Sequence, residues 1–131
     1  IPASDVVVDP LVMPIGAINE AGRQAFHIIR RLREELKVNS TCGASNVSFG
    51  LPNRNGLNSA FISMAIGAGM TSAITNPLHS EVMQGVMGAD VMMGADPECR
   101  RWIQRYREPV ADAGVGGGAR AGRRGGRRRR A

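Results

Sequence analysis

Residues 41–54 read TCGASNVSFGLPNR, and the stretch changes character along its length. Together with Ser40, its first residues are small or tolerated in strands, and they predict a strand over residues 40–44. Polar side chains and glycines follow at short spacing and lead into an apolar helical run. In α/β proteins a polar loop at the carboxyl end of a buried strand is a common place for ligand-binding groups, because the strand below it is rigid. The stretch therefore predicts a small-molecule site around Asn46.

The sequence on the amino-terminal side contains the same kind of unit. The run DVVV at residues 5–8 predicts a strand buried on both faces, which ends at Asp9 and Pro10 because proline cannot donate to a ladder. Asn19 is the predicted N-cap of a helix that continues to about residue 37. Its apolar residues recur at spacings of four, three and four, and they predict one buried stripe: Ala25, Ile29, Leu32 and Leu36.

Two more units follow, with helices predicted over residues 57–68 and 79–93 and a strand over residues 71–74. Three β-loop-α units in a row, with their polar loops after the strands, indicate either a doubly wound sheet or a (β/α)8 barrel. Asp96 and Pro97 predict the start of a last helix that ends near residue 108. We therefore expect a folded domain over residues 1–107.

Residues 108–131 differ in composition from the rest of the chain. They contain seven arginines against two acidic residues, whereas residues 1–107 contain ten basic and nine acidic side chains. The net charge of +6 therefore belongs mainly to this segment, which is rich in glycine and is predicted to be disordered. Nucleic-acid binding through the arginines is one interpretation, and a solvated tail is the other.

The cysteines and the hydropathy pattern exclude several other classes of protein. Cys42 and Cys99 lie far apart without a C-x-x-C motif, so the sequence indicates no disulfide framework and no metal site. A reduced, cytoplasmic location fits best. No apolar run reaches the roughly 18 residues that a membrane span needs, so no membrane contact is predicted.

One polar group follows each predicted strand: Asp9, then Asn46 with Ser45, then Asn76. In a barrel such positions converge on one mouth. Asp and Asn also favour turns at strand ends for local reasons, so both interpretations of Asp9 stay open at this point.

The segments VVVDPLVMPIG, TCGASNVSFGLPNRNGLNSAFISMAIGAGM and TSAITNPL together resemble the methyltetrahydrofolate:corrinoid methyltransferases. The resemblance covers residues 5–94, and the G-x-S-N-V-S-F-G-L-P-x-R string is its most specific part. It implies that the chain is the carboxyl-terminal part of a (β/α)8 TIM barrel, with the last three β-loop-α units. Because the chain opens on Ile1 without an initiator Met, we expect a fragment of a longer protein. The fragment is expected to be inactive alone, because half a barrel cannot enclose the pterin ring.

The same resemblance implies roles for single residues. Asp9 matches a carboxylate that accepts hydrogen bonds from the pterin ring, and Arg54 matches an arginine of the pocket. Asn46 matches the catalytic asparagine that reaches N5, where an amide can donate to the leaving nitrogen. The remaining predicted contacts are at positions where the backbone approaches the ring: Gly43, Ser45 and Ile74.

The implied substrate is methyltetrahydrofolate, and the implied methyl acceptor is the cobalt of a corrinoid (cobalamin). The chain lacks a D-x-H-x-x-G motif, so the corrinoid is expected on a partner protein or another domain. The resemblance also implies a homodimer. The related dihydropteroate synthases are the nearest alternative, but their lysine-containing motif has no counterpart between Gly43 and Asn46.

Overall fold

A computed structural model describes residues 1–108 of the chain. The arginine-rich tail that is predicted to be disordered spans residues 108–131, and all of it except residue 108 lies outside the described range. A 3-10 turn at Ala3–Asp5 precedes strand β1 (Val7–Val8), helix α1 (Ala21–Glu34) and strand β2 (Asn39–Ser40). A second 3-10 turn (Asn46–Ser48) leads to α2 (Arg54–Ala68), and then come α3 (Ser80–Met92), a 3-10 turn (Pro97–Cys99) and α4 (Arg100–Tyr106). No helix within residues 1–108 combines the length and the apolar composition needed to cross a bilayer.

The strands run parallel, as the repeated β-loop-α order predicts. Val7 of β1 lies opposite Asn39 of β2, and Val8 lies opposite Ser40. On the other side of β2, the Ser72 N–H donates to the Ser40 carbonyl at 3.0 Å and the Ile74 N–H donates to the Cys42 carbonyl at 2.8 Å. A parallel bridge between Gly43 and Ile74 extends this second pairing. The predicted mixed α/β class is therefore correct, although the paired segments are shorter than predicted.

Strand β1 differs from its prediction in two ways. It begins at Val7 because residues 3–5 form a turn in which the Val6 N–H donates to the Ala3 carbonyl at 3.2 Å. The prediction that it is buried on both faces is wrong for the described residues, since the Val7 side chain is 54% exposed. No strand within residues 1–108 pairs with the outer edge of β1.

Helix α1 starts later and ends earlier than the sequence indicates. The Pro14 carbonyl accepts hydrogen bonds from the N–H groups of Ala17 and Ile18, and this turn delays the helix to Ala21, so the predicted N-cap at Asn19 is wrong. At the other end Lys37 takes a left-handed conformation with φ 55°. Leu36 is consequently 61% exposed, and the predicted stripe loses this member while Ala25, Ile29 and Leu32 are buried as predicted.

The hydrophobic core lies between the sheet and the helices. Its largest fully buried apolar side chains come from different elements and pack together: Ile29, Val47, Ile62 and Val82. Phe26 of α1 stacks on Phe61 of α2 with ring centroids 5.4 Å apart. These contacts fix the loop after β2, because Val47 within that loop is itself a core residue.

Helices α2 and α3 approach each other closely at a glycine. A Cβ on Gly85 would lie 2.5 Å from Ser59 Oγ and 2.9 Å from the Ser59 carbonyl oxygen. The close approach therefore requires Gly85. Helix α2 ends at Gly69, whose φ of 110° also favours glycine.

Candidate functional site

An open groove of about 640 Å³ lies at the carboxyl ends of the strands. Its walls come from the loop after β2, the first residue of α2 and the loop before α3. Five of the six residues predicted for the site line it, namely Gly43, Ser45, Asn46, Arg54 and Ile74. Three further residues line the groove, namely Thr75, Asn76 and Pro77.

Asn46 is held by a contact with the neighbouring loop. Its side-chain Nδ2 donates a hydrogen bond to the Val12 carbonyl, and the Ile15 N–H donates to the Val47 carbonyl at 3.0 Å. A carbonyl can only accept, so the Val12 contact settles which end of the amide is the NH₂ group. An amide nitrogen carries two hydrogens, and one remains for a ligand. Asn46 is therefore an oriented donor at the edge of the groove.

Arg54 is fixed by three groups of the same loop. Its Nε donates to Ser48 Oγ at 3.0 Å, and its Nη2 donates to the Ser45 carbonyl at 2.7 Å. The guanidinium carbon lies 5.9 Å from the centre of the Phe49 ring, which is within the range of a cation–π contact. Arg54 is the charged side chain among the described residues that line the groove, so it gives the groove an affinity for acceptor atoms and anions.

Asp9 lies outside the groove lining, although it directly follows β1. Its Oδ1 accepts the Leu11 N–H at 2.8 Å, which is the local turn contact that aspartate favours after a strand. The side chain is nevertheless exposed, and its charge acts on a neighbour. Burial, together with the charge of Asp9, raises the pKa of the Cys42 thiol to about 11. The structure therefore places Asp9 at the end of the sheet near Cys42 and apart from the groove.

Asn76 stabilises the turn that precedes α3. Its Oδ1 accepts the Leu78 N–H at 2.9 Å, and its Nδ2 lies 3.2 Å from His79 Nε2. Because both polar ends of the amide have partners within the loop, Asn76 shapes the groove wall through local contacts.

Sequence reasoning missed two buried polar residues behind the groove. Ser48 is 0% exposed and Asn58 is 4% exposed, and Ser48 Oγ donates to Asn58 Oδ1 at 2.7 Å. A polar residue in a helix such as α2 carries no sequence signal that separates it from a solvent-facing one. Ser48 lies in the string that carries the family resemblance, but only the structure shows that it contacts Arg54.

The comparison with known families agrees with this geometry. The profile of the family described as pterin binding enzyme matches residues 1–76, which include every element that lines the groove except the end of its last loop. The chain belongs to the pterin-binding enzymes. This membership accounts for the parallel strands and for the concentration of polar groups at their carboxyl ends.

Among curated proteins, this pterin-binding enzyme is similar to a methylcorrinoid:tetrahydrofolate methyltransferase from Eubacterium limosum. The two sequences are 31% identical over 102 residues, which cover 77% of this chain and 38% of the relative. The chain thus spans little more than a third of the length of the curated relative that it matches.

Proposed function

We propose that the whole protein transfers the N5-methyl group of methyltetrahydrofolate to the cobalt of a corrinoid protein. The observation that supports this most directly is the position of Asn46, an oriented amide at the edge of a groove in a pterin-binding enzyme. The name of the similar protein from Eubacterium limosum gives the opposite direction of transfer. A catalyst lowers the barrier in both directions, so the same residues would serve either one.

In this proposal Asn46 acts on the leaving nitrogen. When the bond between N5 and the methyl carbon breaks, the bonding electron pair remains on N5, which takes up a proton from solvent. The free Nδ2 hydrogen of Asn46 would donate a hydrogen bond to N5 while this charge develops. The contact with Val12 holds the amide in place before the reaction, so little reorganisation is needed. The corrinoid would supply the cobalt that exchanges the methyl group with N5.

The other groove residues would bind the substrate. Arg54 presents N–H donors, and Gly43, Ser45 and Ile74 offer backbone and small surfaces against which a flat ring can lie. Asp9 remains a proposed pterin ligand. It would have to turn from the Leu11 N–H toward the ring, which its exposure permits.

The test is methyl transfer by the full-length protein carrying Asn46→Ala. We expect turnover to fall by about 100-fold or more, the usual loss when a preorganised donor is removed. Equilibrium binding of methyltetrahydrofolate should change much less. Asn19→Ala is the matched control, because Asn19 is exposed and lies outside the groove. Unchanged turnover in Asn46→Ala would contradict the proposed role.

We also propose that residues 1–107 form the last three β-loop-α units of a (β/α)8 barrel, and that the barrel pairs as a homodimer. The parallel order of the paired segments and the partial coverage of the relative support the first part.

A dihydropteroate synthase-like reaction is disfavoured by the name of the relative, and p-aminobenzoate is not expected to compete with methyltetrahydrofolate. Nucleic-acid binding through the arginine-rich tail stays a prediction, since its arginines lie outside the described residues.

A further inference from the structure

Ser48 and Asn58 form a buried polar pair to which the proposed function assigns no role. Both side chains are polar and nearly inaccessible, with exposed fractions of 0% and 4%. Burying polar groups is unfavourable unless their hydrogen bonds are made, so the two side chains must keep their hydrogen-bond partners in the folded protein. Here it lies directly behind Arg54.

The direction of the hydrogen bonds can be assigned along the whole chain of contacts. A serine hydroxyl has one hydrogen, and its shortest acceptor is Asn58 Oδ1 at 2.7 Å, against 3.2 Å for the Ser45 carbonyl. A hydroxyl that donates to Asn58 turns its lone pairs elsewhere. Arg54 Nε can only donate, and it meets Ser48 Oγ at 3.0 Å. The order is therefore Arg54 to Ser48 to Asn58.

This relay connects two separate elements of the site. Arg54 and Asn58 lie one turn apart at the start of α2, whereas Ser48 belongs to the 3-10 turn that begins with Asn46. With Nε held by Ser48 and Nη2 donating to the Ser45 carbonyl, the guanidinium has a fixed plane. Its remaining N–H donors are left for the groove that Arg54 lines.

We propose that Ser48 and Asn58 are positioning residues that hold Arg54 so that its free N–H groups bind an acceptor oxygen of the substrate. The inference rests on the proposed function for the identity of that substrate, a tetrahydrofolate. Ser48 and Asn58 do not touch the ligand in this assignment, and they act only through Arg54.

A double-mutant cycle in the full-length protein tests this mechanism. We expect Arg54→Ala to weaken methyltetrahydrofolate binding by about tenfold or more, as for loss of a hydrogen bond from a charged group. Ser48→Ala should weaken binding by about fivefold, because it acts only indirectly through Arg54. Adding Ser48→Ala to Arg54→Ala should cause no further loss. Asn58→Ala removes the acceptor of the Ser48 hydroxyl, so it should weaken binding in the same direction as Ser48→Ala and add no loss to Arg54→Ala.

Ser63→Ala is the matched control. Ser63 is a half-buried serine of the same helix, and its hydroxyl lies within hydrogen-bonding distance of the carbonyls of Ser59 and Gly85, to either of which it can donate. It should leave the affinity unchanged. If Ser48→Ala folds poorly, Ser48→Cys makes the same test at similar volume, because a thiol is a weak hydrogen-bond partner.

A second readout separates this inference from the proposed function. The Arg54 Nε–H resonance, identified by its loss in Arg54→Ala, should exchange with water faster in Ser48→Ala. Failure of the wild-type protein to bind methyltetrahydrofolate would overturn the proposed function, while slow exchange would still support the positioning of Arg54. Two results would overturn the positioning role. One is that Ser48→Ala lowers the affinity equally in the wild-type protein and in Arg54→Ala, and the other is that Ser48→Ala leaves the exchange rate of the Arg54 Nε–H unchanged.

Discussion

Asn46 and Asp9 both follow a strand directly, but their side chains make different kinds of contact. The Asn46 amide reaches across to Val12, which lies 34 positions earlier in the chain, whereas the Asp9 carboxylate accepts an N–H only two residues away. A long-range contact orients a group relative to the fold, and a short-range contact orients it relative to its own turn. This difference is why Asn46 is the stronger candidate for chemistry.

Cys42 provides a prediction at the scale of one residue. With its pKa at about 11, only about one thiol in a thousand is ionised at pH 8, and the thiolate is the form that alkylates. Iodoacetamide should therefore modify the half-buried Cys99 and leave Cys42 unmodified in the folded protein. Mass spectrometry after digestion measures this. Asp9→Asn should lower the pKa of Cys42, and rapid labelling of Cys42 in the wild-type protein would contradict its burial.

The sequence identifies the residues at strand ends and misses those that support them. Of the six predicted site residues, Asp9 lies outside the groove, and five line it: Gly43, Ser45, Asn46, Arg54 and Ile74. They could be found because strand ends are visible in the hydropathy pattern and because the string around Asn46 resembles a family. Ser48 and Asn58 could not be found, since their importance depends on distances between separate elements.

At the scale of elements, the packing of α2 on α3 depends on Gly85. Gly85→Ala would place a methyl group within 2.5 Å of Ser59 Oγ, so the helices must separate. We expect a loss of about 1–3 kcal/mol in the free energy of unfolding, the usual cost of overpacking. Urea denaturation of the full-length protein measures this change.

Gly67→Ala is the control for this substitution. Gly67 lies in α2 with no atom within 4 Å of an added Cβ. Alanine there should stabilise the protein by up to about 1 kcal/mol through its higher helix propensity. Equal effects of the two substitutions would show that helix propensity, and not the contact with Ser59, determines the result.

Asp96 makes the attachment of α4 dependent on pH. Burial alone would raise the pKa of Asp96, but hydrogen bonds from the N–H groups of Arg101 and Trp102, with the charge of Arg101, hold it below the ordinary value. A carboxyl group whose pKa is lowered in the folded state stabilises that state above its ordinary pKa. The stabilisation is lost as the pH falls through the lowered value, below about pH 4.

Trp102 reports on this transition because it is the one tryptophan of the chain. Its fluorescence should change on acidification below about pH 4. In Asp96→Asn this change should be reduced, and the emission at neutral pH should already resemble that of the acidified wild-type protein. A pH profile identical in the two proteins would show that Asp96 does not control α4.

The ends of the elements show where sequence patterns stop being informative. Helix α1 ends without a glycine because Lys37 adopts the left-handed conformation, which non-glycine residues rarely take. Its start is delayed by a turn around Pro14 that leaves Asn19 outside. In contrast, the order of strands and helices follows directly from the alternation of β-branched runs with helical periodicity, and this order was predicted correctly.

At the scale of the whole molecule, the outer edge of β1 has no partner strand within residues 1–108. In a parallel ladder the backbone groups of Val7 point away from β2, and no strand of the described residues meets them. Unpaired edges promote association between chains. We expect the 131-residue chain expressed alone to self-associate, and Val7→Lys to reduce this association because a charge disfavours edge pairing. Sedimentation velocity measures the outcome.

Ile28→Lys is the matched control, since Ile28 is an exposed apolar residue on α1 away from the edge. It should leave the association unchanged. If both substitutions reduce association equally, general hydrophobicity is responsible and not the edge. In the full-length protein, Val7→Lys should instead weaken folding if another strand covers Val7 there.

Two hydrogen bonds join the loop after β1 to the loop after β2, and they matter for protein engineering. One runs from Asn46 to the Val12 carbonyl, and the other runs from the Ile15 N–H to the Val47 carbonyl. They join the two loops, so we expect that lengthening one loop shifts the other. Insertions between residues 10 and 18 would displace the Asn46 amide although they add nothing to the groove. Libraries designed to vary substrate preference should therefore diversify residues 75–78 first and keep the lengths of the loops after β1 and β2 unchanged.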